Sequence, residues 1–197
     1  MERKLKIPKK YQNNEKKNRL IISAKKLFYE NGVNCTTLAG IAHTAEIPLG
    51  NVYYYFKSKE SIILSVIEHI RISTKEQLEE INKITHPEDR LKYFIYLETK
   101  KNSNIVKYGN MIGNLSQELC KKNNTISLSL ANLMKEVIEW CQKQFDSLGK
   151  KEKSTRYAII LICNIQGLNL ISFIFKNKDF MDNYTNYLMN WIDEISY

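Results

Sequence analysis

Apolar residues recur along this chain at the spacing of an α-helix. Leu20, Ile21, Ala24, Leu27 and Phe28 follow i, i+1, i+4, i+7, i+8, the stripe of an amphipathic helix. Asn31-Gly32 ends it, glycine suiting the left-handed position just past a helix. Thr36-Thr37 offers an N-cap hydroxyl for a short second helix, Leu38 to about Ala45, with Leu38, Ile41 and Ala42 turned inward. Pro48, whose fixed φ suits a first helical turn, begins a third helix that runs to about Phe56, with Val52 and Phe56 as core positions. Ser58, with Ser61 three residues on, opens a longer fourth helix. It carries Ile63, Ile67, Ile70, Leu78, Ile81 and Ile84 up to a stop at His86-Pro87. Further helices are predicted over 88–101, 104–121, 125–148, 154–175 and 179–196, with no internal repeat and no strand pattern. The fold class is all-α, of about nine helices.

The stretch from Tyr157 to Phe175 is 19 residues long without a charge, which meets the length of a membrane span. It contains Asn164, Gln166, Gly167, Asn169 and Ser172, however, and amides are costly in hydrocarbon. A helix covered by protein, as at a subunit interface, explains it better.

Composition narrows the class. Among 197 residues there are only 3 Pro and 7 Gly, too few turn formers for a sandwich or barrel of short strands. Cys35, Cys120, Cys141 and Cys163 form no C-x-x-C pair, so a disulfide scaffold or zinc site is not expected and a reducing, cytoplasmic setting is. The basic stretch from Met1 to Lys10 is followed by no apolar run of the secretory type. Residues 1–60 hold 12 Lys and Arg against 5 Asp and Glu, whereas 61–197 are nearly balanced at 18 against 16. A positive field concentrated in the first third of a chain attracts polyanions, either nucleic acid or an anionic membrane.

Two short helices joined by a brief turn have the spacing of a helix-turn-helix. The second contains Tyr53, Tyr54 and Tyr55 in a row, followed by Phe56-Lys57-Ser58-Lys59. Three consecutive helical residues span about 200° of arc, so they cannot all be core. Phenol, amide (Asn51) and ammonium groups on one exposed face are suited to phosphate oxygens and base edges.

The stretch from Arg19 to Glu60 resembles the DNA-binding domain of the TetR family of bacterial transcriptional regulators. Ala24, Leu27-Phe28, Gly32, Thr36-Thr37, Ile41-Ala42, Ala45, Gly50, Tyr53, Phe56 and Lys59-Glu60 carry the likeness, and the run from Gly50 to Lys59 is its most specific part. The resemblance implies that Pro48, Leu49, Gly50 and Asn51 meet base edges in the major groove of duplex operator DNA. It implies that Thr37, Tyr53, Tyr54, Tyr55 and Lys59, with Thr36 and Lys57 beside them, hold the phosphate backbone. Two features depart from the family pattern: Glu46 stands where the turn often has glycine, and Pro48-Leu49 stand where a serine and a polar or basic residue are common. Leu49 can touch a thymine methyl but makes no hydrogen-bonded base contact.

The resemblance divides the chain into a basic arm and helix-turn-helix domain over 1–60 (the motif at about 37–56) and a ligand-binding and dimerisation domain over 61–197. The run from Tyr108 to Leu119 is similar to a segment that lines an effector cavity in one subgroup. Tyr108, Asn110, Met111, Asn114 and Trp140 are the candidate lining residues, suited to a mainly apolar small molecule with one or two hydrogen-bonding groups. Gln166-Gly167-Leu168 resembles a step in the penultimate helix, which with the last helix forms the dimer's four-helix bundle. Ile160, Cys163, Asn164, Gly167, Leu168, Ile171, Phe175, Tyr184, Leu188 and Trp191 are the candidate homodimer contacts.

The implied function is ligand-responsive regulation, most simply repression, with neither cofactor nor metal. His43, His69 and His86 show no ligand spacing, and there is no phosphate loop or nucleophile elbow, so an enzyme is not expected. Two alternatives stay open. One is an electrophile- or redox-responsive regulator acting through Cys120, which stands beside Lys121 and Lys122. The other is a basic helical membrane-surface or adaptor protein.

Overall fold

The computed structural model describes residues 9–101, 104–121 and 125–196, with side chains from Asn14 onward. Among the described residues the secondary structure is helical throughout: α1 (Lys9–Asn31), α2 (Leu38–Thr44), α3 (Leu49–Tyr55), α4 (Lys59–Ile81), α5 (Pro87–Glu98), α6 (Asn104–Tyr108), α7 (Met111–Leu119), α8 (Thr125–Ser147), α9 (Ser154–Phe175) and α10 (Lys178–Ser196). They fall into two compact units, Met1–Ile70 and Arg71–Tyr197. The division lies inside α4, whose buried Ile62, Ile63, Val66, Ile67 and Ile70 fall in the first unit.

Two differences from the sequence pattern have local causes. Helix α1 begins at Lys9, well before its apolar stripe, in a polar run where the helix formers Lys9, Lys10, Gln12, Glu15, Lys16 and Lys17 outnumber Asn13, Asn14 and Asn18. The predicted helix over 104–121 is cut in two at Gly109, which sits at φ 82°, a conformation that glycine adopts without a side-chain clash. The Gly109 amide closes α6 on the Ile105 carbonyl at 2.8 Å, and Asn110 then caps α7 by accepting from the Gly113 amide at 2.9 Å.

In the amino-terminal unit α2 meets both α1 and α3, and Leu20, Ala24 and Phe28 of α1 are buried, as are Ile41, Ala42, Ile47, Val52 and Phe56 of the following segments. In the second unit α8 lies along α9, and α5 along α10. Its core holds Phe94, Ile95, Trp140, Cys141, Phe145, Leu161, Ile165 and Leu188. Burial pushes the Cys141 thiol well above its ordinary value, so this cysteine is a packing residue. Helix α9 is long and apolar enough to cross a membrane, yet one of its faces (Ala158, Leu161, Ile165, Leu168, Asn169, Ser172) is buried within the unit. Its opposite edge exposes Ile159, Leu170, Ile171, Ile174 and Phe175.

Candidate nucleic-acid interface and body cavities

The helix-turn-helix is built by caps and by one charged clasp. Thr37 caps α2, its Oγ1 accepting from the Gly40 amide at 3.0 Å. The chain leaves α2 through Glu46, which adopts φ 53°, a left-handed conformation disfavoured for a residue with a side chain. Arg19 of α1 holds this turn. Its guanidinium donates to the Ala45 carbonyl and lies 3.4 Å from the Glu46 carboxylate. The negative charge that departs from the family pattern is thereby balanced by a cation of the same unit, a partnership between residues 27 apart that no local motif announces.

Helix α3 divides its residues cleanly. Val52 (0% exposed) and Phe56 (3%) face the core, while Tyr53 (51%) and Tyr54 (66%) project outward with Leu49, Gly50 and Asn51 exposed beside them. Tyr55 is half-buried and meets Tyr54 edge-on at 5.0 Å. The Lys57 ammonium donates to the Tyr53 carbonyl at 3.3 Å, closing the carboxyl end of α3. Ser58 and Ser61 bond each other's backbone amides at 3.2 and 3.3 Å, and so open α4. Lys59 follows in the first turn of α4, where the helix dipole favours an anion over a cation. Its charge thus serves no purpose internal to that helix.

Gly50 has no structural reason to be glycine: a Cβ there would meet nothing within 4 Å. Thr36 is different from the other predicted DNA contacts. It is buried, and its hydroxyl is spent on the Gly32 carbonyl at 2.8 Å. It therefore braces the α1–α2 turn and is withdrawn from the DNA-facing set.

Among the cavities formed by the described residues, none gathers all five predicted ligand residues. Asn110 and Asn114 line a cavity of about 180 Å³ between the α6–α7 junction and α9, together with Gly113, Gln117, Gln166, Gly167, Leu170 and Phe173. Trp140 lies elsewhere. It packs on Phe94 and donates from its indole nitrogen to Asn82 at 2.9 Å, beside a groove of about 350 Å³ between α4 and α8 with a charged rim that includes Arg71, Lys75, Glu136 and Lys143. Tyr108 and Met111 line neither space. Sequence spacing could not find Gln166 and Phe173 as lining residues, because they arrive from a helix more than 50 positions away.

The predicted dimer residues also divide. Leu168 and Leu188 are buried in the unit's own core, and Trp191 packs on Phe145 and Tyr157 in an aromatic cluster, so these three stabilise the single chain. Cys163, Asn164, Gly167, Ile171 and Tyr184, with Phe180, line an open groove of about 280 Å³ floored by Leu168. Tyr184 donates to Asn164 Oδ1 at 3.1 Å, tying α10 to α9 along this groove. Ile160 is half-buried and Phe175 is 71% exposed.

Comparison with known proteins places this architecture. The family described as bacterial regulatory proteins, tetR family, matches residues 20–66. The chain is 34% identical over 82 residues to the HTH-type transcriptional regulator QacR of Staphylococcus aureus, covering 42% of this chain and 43% of that one. It is 32% identical over 73 residues to the HTH-type transcriptional repressor BepR of Brucella suis, covering 37% and 35%. These matches span less than half the length of each relative. A crystal structure of a TetR transcriptional regulator from Legionella pneumophila superposes with a TM-score of 0.78 at 18% identity, over 96% of this chain and 98% of that one, a likeness of fold.

Proposed function

Since the chain belongs to the TetR family of bacterial regulators, we propose that it is a ligand-responsive transcriptional repressor in the cytoplasm, binding duplex operator DNA as a homodimer and released by a small molecule held in its carboxy-terminal unit. The observation that carries the DNA-binding part is the outer face of α3. Tyr53 and Tyr54 stand exposed beside Leu49, Gly50 and Asn51, and Gly50 lacks a side chain where the fold has room for one. An external surface that approaches the backbone closely accounts for that glycine, and the amino end of a recognition helix in a major groove is such a surface. Leu49, Gly50 and Asn51 then meet base edges, with Pro48 setting the start of α3. Thr37, Tyr53, Tyr54, Tyr55, Lys57 and Lys59 hold the phosphates.

The exposed apolar edge of α9, with the groove shared by α10, supports the homodimer. A contiguous patch of this kind on a soluble chain marks an interface. Two heads on a twofold dimer enter successive major grooves when they are about 34–36 Å apart. An effector that binds better when the heads are mis-spaced lowers DNA affinity by its differential binding to the two states. Helix α4 is the lever, being one continuous helix that belongs to both units.

The test uses duplexes selected from a random library. Tyr54→Ala and Lys59→Ala are each expected to weaken binding by about 1.5–3 kcal/mol, the range for a hydrogen bond to a charged group. Folding should be intact by circular dichroism, and the Lys59 variant should show a shallower salt slope. Wild-type affinity and salt slope in both variants would refute this docking.

A further inference from the structure

The cavity between the α6–α7 junction and α9 has a lining of unusual uniformity. Four side-chain amides (Asn110, Asn114, Gln117 and Gln166) face it with Leu170 and Phe173, and no lining side chain ionises. Some amide atoms are already committed to the fold. Asn110 Oδ1 accepts from the Gly113 amide, and Asn114 Nδ2 donates to the Tyr108 carbonyl at 2.7 Å. That leaves Asn110 Nδ2 as a donor and Asn114 Oδ1 as an acceptor. Among the described residues the Gln117 and Gln166 amides have no hydrogen-bonding partner, so both of their ends are available.

Glycine keeps the space open. A Cβ on Gly113 would lie 3.2 Å from Gln166 Oε1, so its absence lets that amide stand in the cavity. The volume of about 180 Å³ corresponds to roughly six waters at their share of the liquid, room for one six-membered ring bearing a single polar group.

These features select a guest by elimination. An ion entering this lining finds no opposite charge among the lining side chains, and the Lys176 ammonium that stands 3.7 Å over the Phe173 ring is already bonded to the Lys107 carbonyl. A hydrocarbon fits Leu170 and Phe173 but leaves the amides unpaired. A planar carboxamide presents one acceptor and two donors, the complement of the available atoms, and its ring covers the apolar wall.

We propose that this cavity is the effector seat and that it takes a small, uncharged, planar molecule of the carboxamide class, bonded by the Gln166 and Asn110 amides. The proposal rests on reading the chain as a ligand-responsive regulator and adds the chemistry of the ligand. It also supplies a route to the dimer. Gly167 belongs both to this cavity and to the apolar groove of Cys163, Ile171, Phe180 and Tyr184, so one bare wall of α9 separates the guest from the dimerisation face.

The test is a titration of the full-length chain, followed calorimetrically, with benzamide, benzoate, benzylammonium and ethylbenzene. Benzamide should saturate the wild type and bind at least tenfold tighter than the other three. Gln166→Leu should weaken benzamide about tenfold, and Gln166→Glu should reverse the preference toward benzylammonium. Equal binding of benzoate or benzylammonium to the wild type would overturn the proposal. Benzamide binding that ignores both substitutions, or no saturation by benzamide, would do the same. DNA binding is read separately on selected duplexes: a chain that seats benzamide through Gln166 but never binds duplex DNA would defeat the regulator reading and not the ligand chemistry.

Discussion

Replacing Gly50 with alanine should move stability and DNA affinity in opposite directions. In the free protein the new methyl meets nothing within 4 Å, so it introduces no clash. Glycine within a helix costs about 0.5–1 kcal/mol relative to alanine, and Gly50 stands in the first turn of a seven-residue helix, where the lower figure applies. A gain of about 0.5 kcal/mol in a chain of this size raises the melting temperature by roughly 1–2 °C. At the DNA the same methyl enters a close contact. Overpacking a fitted surface costs about 1–3 kcal/mol, a loss of roughly 5- to 150-fold in affinity. The assay pairs a thermal melt followed by circular dichroism with fluorescence anisotropy on a selected duplex at fixed salt. The salt slope should be unchanged, since no phosphate contact is removed. A variant that melts higher yet binds DNA as tightly as the wild type would show that the amino end of α3 faces away from the duplex. One that melts several degrees lower would show that the space around Gly50 is misjudged.

Other outcomes follow from the second unit. Phe175→Glu places a charge on a residue 71% exposed in the single chain, so it should leave the fold intact and convert dimer to monomer in sedimentation at micromolar concentration. A wild type that is itself monomeric there would refute the interface. Induction is expected to be reversible and non-covalent, because Asn110 stands where the subgroup often has a reactive cysteine. DNA release by a thiol-reactive electrophile that disappears in Cys120→Ser would overturn this, since Cys120 is exposed at the end of α7. The Lys92 ammonium, donating to Asp193 and also bonded to Glu88, holds the Asp193 carboxyl below its ordinary range. A depressed carboxylate contributes stability that is full above its unfolded pKa of about 3.9 and is lost as pH falls through the folded value. Asp193→Asn should therefore melt below the wild type from neutral pH to about pH 9, and the gap should close as pH falls below about 4; a gap that does not change with pH would refute the pairing.

The sequence alone determined most of the helical framework, because caps and breakers act within a few residues of themselves. Gly32, the Thr37 cap, Pro48, the Ser58–Ser61 pair and His86-Pro87 mark ends that the structure reproduces within a residue or two. The Gly109-Asn110 break carried the same kind of signal, a glycine followed by a capping amide, and was obscured by the helical periodicity running through it. The division of α3 into buried Val52 and Phe56 and exposed Tyr53 and Tyr54 also follows from a 100° step per residue. Tertiary structure decided whatever depends on partners distant in the chain. Thr36 and Thr37 are adjacent threonines, yet one hydroxyl is buried on Gly32 and the other caps α2. The left-handed Glu46 is held by Arg19 from another helix. Trp140 leaves the company of Asn110 because Asn82 and Phe94 claim it, whereas Gln166 and Phe173 join Asn110 because α9 packs against α6 and the α6–α7 junction. A cavity is the space left by helices meeting across the fold, and no local pattern in one of them encodes the side chains that the others bring.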